Sequence, residues 1–470
     1  MPVNGAYQPT PVFDQLGSQF GDPVEAAEFT KLNLRYFNDA AAKTIGLDNL
    51  EPHEKVDHFA HFVPLPDNLQ QSLALRYHGH QFRNYNPDLG DGRGFLFAQL
   101  TDSQNRLLDL GTKGSGQTPW SRAGDGRLTL KGAVREILAT EMLTALGVNT
   151  SQTFCVFETG EPLMRSDEPS PARSAVLTRL SHSHIRFGTF QRLAYLGQAD
   201  QMAELLAHIA EHYMPDLVGL PVAEQAVQFL SRNAKSTALM CASWMAAGFV
   251  HGVLNTDNMN INGESFDYGP WRFLPRFEPE FTAAYFDQQG LYAYGRQPEA
   301  VSWNLARLGE ALSLLAPVET LQAAHASFSD HWQSALPAAF LRRLGLRSTG
   351  QENDLEFVKT LTQALHETQV SFDGFFFDWF GGDEARALTR PNLAHYQGQA
   401  FAPLANCLKN YEPIDSARVS KLWFQRETPE TLVIEEVENL WKPIAEHDDW
   451  GLFDQKIKAL RQMGDALSIA

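Results

Sequence analysis

Cysteine is scarce in this chain of 470 residues: Cys155, Cys241 and Cys407 are three, an odd number, and far apart. They make neither a disulfide framework nor a Cys-x-x-Cys zinc pattern, so a reducing compartment is expected. No run of about 18 apolar residues occurs, which argues against a membrane span. The start, M-P-V-N-G-A-Y, has no basic stretch followed by an apolar one and so does not read as a secretory signal. Cytoplasmic residence is the expectation. Basic side chains are in deficit, 38 against 56 acidic, for a formal net charge of −18. Such a surface repels nucleic-acid phosphates, and a phosphate-bearing ligand would need a local basic pocket. Repeats and low-complexity tracts are missing as well.

What is present is ample for a core: 43% of residues are hydrophobic and 11% aromatic. The length suits two to three domains, or one large two-lobed catalytic unit. Residues 1–70, punctuated by prolines, read as an extended lead-in with one helix near 25–45. Their neighbourhood is rich in histidine (His58, His61, His78, His80), but without Cys or carboxylate partners at ligand spacing these read as structural or surface side chains. From Leu89, two alternating apolar runs around T-D-S-Q-N predict a hairpin ending at Lys113. A helix follows over 130–146, with apolar residues at helical spacing and Gly147 as its stop. Further strands are expected at 153–158 and 174–180. Beyond Gln191 the pattern turns helical, with helices over 200–213, 222–249 and 303–315, and the aromatic cluster 375–380 reads as core.

The chemistry concentrates between Gly248 and Trp271. Asp257 and Asn258 precede Asp267-Tyr268-Gly269 by nine residues, and oxygen ligands on successive segments of a tight loop suit a hard divalent ion that holds phosphates. The spacing matches the kinase pattern H-R-D-x-x-x-x-N followed by D-F-G, with His251 as the His and Asn258 as the Asn. The position of the kinase base holds Val253, which leaves Asp257 as the nearest replacement. The same residues would also serve as a turn between two strands. Upstream, Gly90 and Gly92 permit close backbone approach to a ligand beside Arg93. The tetrapeptide Gly-Asp-Gly-Arg recurs at 124–127. Lys113 on a strand followed by Glu136 on a helix is the order in which kinases present their phosphate Lys and its partner. Arg179 and Arg186 carry guanidinium forks suited to phosphate oxygens, or are surface arginines.

Assembled in order, Y-H-G-H-Q-F (77–82), L-G-D-G-R (89–93), the run from Gly111 to Arg127, V-R-E (134–136), L-T-R and S-H-I-R-F-G-T-F (177–190) and the loop 251–270 resemble the selenoprotein O (YdiU) family of kinase-like protein adenylyltransferases. The resemblance implies an α+β, protein-kinase-like two-lobed fold: an N-terminal extension (1–70), a β-rich N-lobe (71–190), a helical C-lobe (191–390) and a C-terminal helical extension (391–470). It implies that Gly90, Gly92, Arg93, Lys113, Asp125, Gly126, Arg179, Arg186 and Asp267 line an ATP site. It further implies that Glu136 holds Lys113, that Asn258 and Asp267 bind magnesium (or manganese), and that Asp257 accepts a proton. The resemblance also implies that ATP is held reversed relative to kinases, terminal phosphates inward, and that AMP passes to protein Ser, Thr or Tyr hydroxyls, with UMP transfer a close variant. A phosphotransferase of the same fold and an inactive nucleotide-binding scaffold are the alternatives. Many members end in a cysteine or selenocysteine motif, whereas this sequence closes S-I-A, so redox control by a C-terminal thiol is not expected.

Overall fold

The computed structural model describes residues 5–166 and 168–468. An antiparallel sheet dominates the first part of the chain and helices the rest, an α+β arrangement. The strands are β1 (Gly21–Val24), β2 (Asn33–Phe37), β3 (Ser72–Leu75), β4 (Gly79–Gln81), β5 (Asn84–Asn86), β6 (Leu96–Thr101), β7 (Leu107–Lys113), β8 (Leu128–Thr129), β9 (Gln152–Leu163) and β10 (Ala172–Ser181). Eight of them form one sheet in the order β1-β3-β6-β7-β10-β9-β2 with β8 beside β10, while β4 and β5 make a separate hairpin. The expected β6–β7 hairpin is present. Asp102 closes it by accepting the backbone N–H groups of Gln104 and Arg106, both at 2.9 Å, the local bonding that favours Asp in turns.

The lead-in differs from expectation. The helix anticipated near 25–45 is β2 followed by the short helix α1 (Asp39–Thr44). The turn after β7 and the strand β9 take the backbone donors a helix would use: Ala27 N–H bonds Ser115 O and Lys31 N–H bonds Thr159 O. Asn38 then caps α1 by accepting from Ala41 N–H. Tertiary pairing overrides local propensity here. After α2 (Pro52–Phe59), the next helix is α3 (Leu130–Ala145), capped by Thr129 Oγ1 accepting from Gly132 N–H at 3.1 Å. Its Ile137 and Leu138 are fully buried, each contributing about 1.5–3 kcal/mol of transfer free energy. That burial sets the face on which Glu136 lies.

The helical part runs through α4 (Phe187–Tyr195), α5 (Ala199–His212) and α6 (Val222–Ala247), then α7 (Gln297–Leu312), α8 (Val318–Leu344), α9 (Gln351–Thr368) and α10 (Phe372–Asp378). α7 starts earlier than the spacing suggested because Pro298 sits in its first turn, where a missing N–H costs nothing. α6 packs against α7 and α8 and stops at Gly248, in the left-handed conformation at φ 67°. A side chain at Gly248 would run into the Phe372 ring. The chain then enters β11 (Phe249–Val250), which pairs antiparallel with β12 (Arg272–Phe273). The loop 251–271 is therefore cinched at its base by two strands. Short helices α11 (Glu384–Ala387), α12 (Leu393–Tyr396) and α13 (Ala402–Leu408) precede α14 (Ile434–His447) and α15 (Gly451–Leu467). α15 returns to α3, where Arg461 bonds the Glu141 carboxylate and Gly464 abuts Ala145. Among the described residues no helix is long and apolar enough to cross a membrane.

Candidate active site

Two glycine turns frame the site. The turn after β7 is pinned on both sides by the two copies of Gly-Asp-Gly-Arg: Gly114 N–H donates to Arg93 O at 2.6 Å, and Gly116 N–H to Gly126 O at 3.1 Å. A Cβ at Gly94 would collide with Thr112 O, and one at Gly90 with the Trp120 ring. These glycines let three backbone segments close around one space. It is a cavity of about 670 Å³, of the size that holds a nucleotide-sized ligand. Seven basic and four acidic side chains line it. In a chain of net charge −18 this is the local basic pocket that a phosphate ligand requires.

Its buried end is an ion cluster. Lys113, at the end of β7, places Nζ 2.7 Å from Glu136 Oε2 and 3.0 Å from Asp267 Oδ1. Arg179, on β10, lies 3.5 Å from Asp267 Oδ1 and 3.8 Å from Glu136 Oε1. Arg186, at the start of α4, reaches Asp267 Oδ2 at 3.5 Å and Asp91 Oδ1 at 3.3 Å. The Arg186 guanidinium is sandwiched against Tyr77 and Phe266, 4.6 and 4.9 Å from the ring centroids, contacts that favour a cation in a desolvated place. Burial works to raise the Asp267 carboxyl pKa. Lys113 foremost, then Arg179 and Arg186, overcome this and hold it well below the usual carboxylate range. Asp267 also sits at φ 64°, an uncommon conformation for Asp that the surrounding ion pairs enforce.

The loop carrying Asp257 is anchored from both sides. His251 Nε2 pairs with Phe266 O at 3.0 Å, and its backbone N–H donates to Gln297 Oε1. A 3-10 turn spans Thr256–Asn258. Thr256 Oγ1 accepts from His80 N–H of the β4–β5 hairpin, and Arg186 donates to Asp257 O at 2.8 Å. Asp257 is 9% exposed, and its Oδ1 has no hydrogen-bond partner among the described residues. Burial pushes its carboxyl pKa up to about 6, against the opposing charge of Arg186. A carboxylate poised near neutrality is suited to accepting a proton. The Asn258 amide donates to Val253 O at 2.8 Å, and its Oδ1 accepts no hydrogen bond among the described residues.

Gly90, Gly92, Arg93, Lys113, Asp125, Gly126, Arg179, Arg186, Asp257 and Asp267 all line this one cavity. Glu136 stands behind Lys113. Asn258 is not a lining residue, because its side chain folds back onto its own loop. Asp125 lies at the exposed mouth, bonded to Arg165. Three of the histidines singled out by density serve structure, His58 pairing with Val63 O, His78 with Tyr85 and His80 with Gln191, and His61 is exposed. Sequence reasoning missed Asp91, Tyr77 and Trp120. Asp91 was legible in principle as the acid between Gly90 and Gly92, whereas Tyr77 and Trp120 are brought in by tertiary packing alone.

Comparison with known proteins places this geometry. Residues 4–461 match the family described as protein adenylyltransferase SelO. A protein nucleotidyltransferase YdiU of Synechococcus elongatus is 41% identical over 97% of this chain and 95% of its own length. One from Synechocystis sp. is 42% identical over 98% of both chains, and one from Gloeobacter violaceus is 42% identical over 96% of this chain and 94% of its own. A likeness of that extent, over a cavity built from the residues the motifs carry, means that the chain belongs to the protein adenylyltransferase SelO family and is a nucleotidyltransferase.

Proposed function

We propose that this enzyme transfers AMP from ATP to a Ser, Thr or Tyr hydroxyl of a protein, in a kinase-like two-lobed frame. In that frame residues 71–190 supply the β-rich lobe, 191–390 the helical lobe, and 1–70 and 391–470 the extensions. One observation carries the reading: three cations, Lys113, Arg179 and Arg186, converge at the buried end of the cavity on the single carboxylate of Asp267. Glu136 and Asp91 share in this cluster, but the cavity as a whole carries seven basic side chains against four acidic ones, an excess that calls for a polyanion, and the terminal phosphates of a nucleotide meet that need. With those phosphates inward, the α-phosphorus falls toward Asp257.

The acceptor oxygen then forms a bond to the α-phosphorus while the bond from that phosphorus to the bridging oxygen breaks. The hydroxyl proton passes to Asp257, and pyrophosphate departs against Lys113, Arg179 and Arg186. Glu136 positions Lys113 throughout. The Asp267 carboxylate and Asn258 Oδ1 would be the oxygen donors to a hard divalent ion such as magnesium or manganese, once the Asn258 side chain turns from Val253 O toward the cavity. Such an ion, when bound, offsets phosphate charge. UTP in place of ATP would use the same groups and deliver UMP. Cytoplasmic residence agrees with the few, unpaired cysteines. Incubation with α-labelled and γ-labelled ATP tests the reading: label should reach protein from the α position only. Transfer from the γ position would make the enzyme a phosphotransferase, and transfer from neither would make it a scaffold.

A further inference from the structure

Between Lys113 and α3 the chain makes two consecutive tight turns at the cavity mouth. Ser121 N–H bonds Thr118 O at 3.1 Å, and Gly124 N–H bonds Ser121 O at 2.7 Å. The second turn has Arg122 and Ala123 as its central residues. Arg122 holds φ 53°, and Ala123 is not among the residues of positive φ. A positive φ at the first central position alone is the pattern in which glycine is the usual occupant. A long side chain there is strained, and strain of this kind collects at functional sites.

The turn is not loose. Ser121 Oγ bonds Gly92 O, Thr118 Oγ1 bonds Asp91 O at 2.6 Å, and Trp120 Nε1 bonds Asp22 at 2.9 Å. It is thus fastened to the first glycine turn, directly beside the ion cluster. Yet the exposed guanidinium of Arg122, which lines the cavity, makes no hydrogen bond or ion pair among the described residues. Of the other basic groups on the exposed side, Arg127 is held by Glu161 and Arg165 by Asp125, while the Arg93 guanidinium, likewise without a hydrogen bond or ion pair among the described residues, acts on Asp267 at the buried end. Arg122 is close enough to the Asp257 carboxylate for its charge to act there.

From this placement we infer that Arg122 is a catalytic residue for adenylyl transfer, its guanidinium contacting the non-bridging oxygens of the α-phosphate as the acceptor oxygen attacks. The inference rests on the proposed orientation of ATP, tail inward. Charge on those oxygens grows as the acceptor–phosphorus bond forms and before the pyrophosphate bond has broken. A rigidly carried, otherwise unengaged cation is placed to stabilise that state in preference to bound ATP.

The test is steady-state adenylyl transfer by Arg122→Gly, which relieves the backbone, and Arg122→Gln, which keeps a polar side chain on the turn without charge, alongside ATP affinity by calorimetry. Both variants should lose about 10²-fold in kcat, as when one charge-stabilising donor is removed. ATP affinity and the KM for the acceptor should stay at the wild-type level. Unchanged kcat overturns the inference. So does a fall in ATP affinity that accounts for the whole loss, which would make Arg122 a ground-state ligand or a loop clamp, and so does a loss confined to the acceptor KM. The underlying reading fails separately, if the wild-type enzyme attaches a phosphoryl rather than an adenylyl group.

Discussion

Arg186 donates a hydrogen bond to the backbone carbonyl of Asp257 at 2.8 Å. A buried cation of the ion cluster is thereby tied directly to the loop that carries the proposed base. This bond links the two ends of the cavity, and in-line transfer from a held triphosphate would call for such fixed placement.

Asp257→Asn should bind ATP nearly as the wild type does and lose about 10² to 10⁴ in kcat. Burial raises the Asp257 carboxyl to about 6, and the proton-accepting form exists above that value. Wild-type kcat/KM should therefore rise with pH through about 6 and level off, and the variant should lose this limb. A pH–rate profile with near-normal turnover in Asp257→Asn would reject the assignment.

Asp267→Ala leaves Lys113, Arg179 and Arg186 facing one another without their shared carboxylate. Breaking a buried ionic cluster on one side costs about 3–5 kcal/mol, so denaturant unfolding without nucleotide should show a clear loss. ATP affinity should also lose its increase with magnesium. A variant that kept the full magnesium increment would contradict a metal-binding role.

Glu136 and Lys113 should behave as a coupled pair. In a double-mutant cycle of Lys113→Met and Glu136→Gln read by ATP affinity, the coupling should fall within about 0.5–3 kcal/mol, as for residues in direct contact. Additive effects would mean that the 2.7 Å ion pair does not position Lys113 for the nucleotide.

Glu264, buried and accepting from His182 N–H at 2.8 Å, has its carboxyl pushed up to about 8, chiefly by burial. The folded state therefore favours its protonated form. Stability should decline as pH climbs from the unfolded carboxyl value through about 8. In Glu264→Gln, thermal midpoints measured across that window should flatten. An unaltered slope would show that Glu264 is charged in the fold.

Much of this site could be read before the fold was known, and the reason is physical. Lys113, Glu136, Asp257 and Asp267 lie on segments whose type follows from local pattern: an alternating strand, a helix of 3.6-residue period, and a polar loop between apolar runs. Arg179 and Arg186 were legible only as candidates, because whether a guanidinium faces solvent or a cavity depends on what packs over it. Here Tyr77 and Phe266 do. The helix expected near 25–45 is confined to Asp39–Thr44 because the pairing partners of the preceding residues, Ser115 and Thr159, lie far along the chain. The role of α15 against Glu141 depends likewise on contacts some 320 residues apart. Asn258 shows the converse: its spacing matches the kinase pattern, yet the direction of its amide is fixed by Val253 O, a backbone group invisible to motif reasoning.

The account turns on which end of ATP the buried cations hold. A crystal structure with a non-hydrolysable ATP analogue measures this directly. The γ-phosphate should lie against Lys113, Arg179 and Arg186, with the α-phosphorus beside Asp257. Adenine at that buried end and the γ-phosphate at the mouth would contradict it.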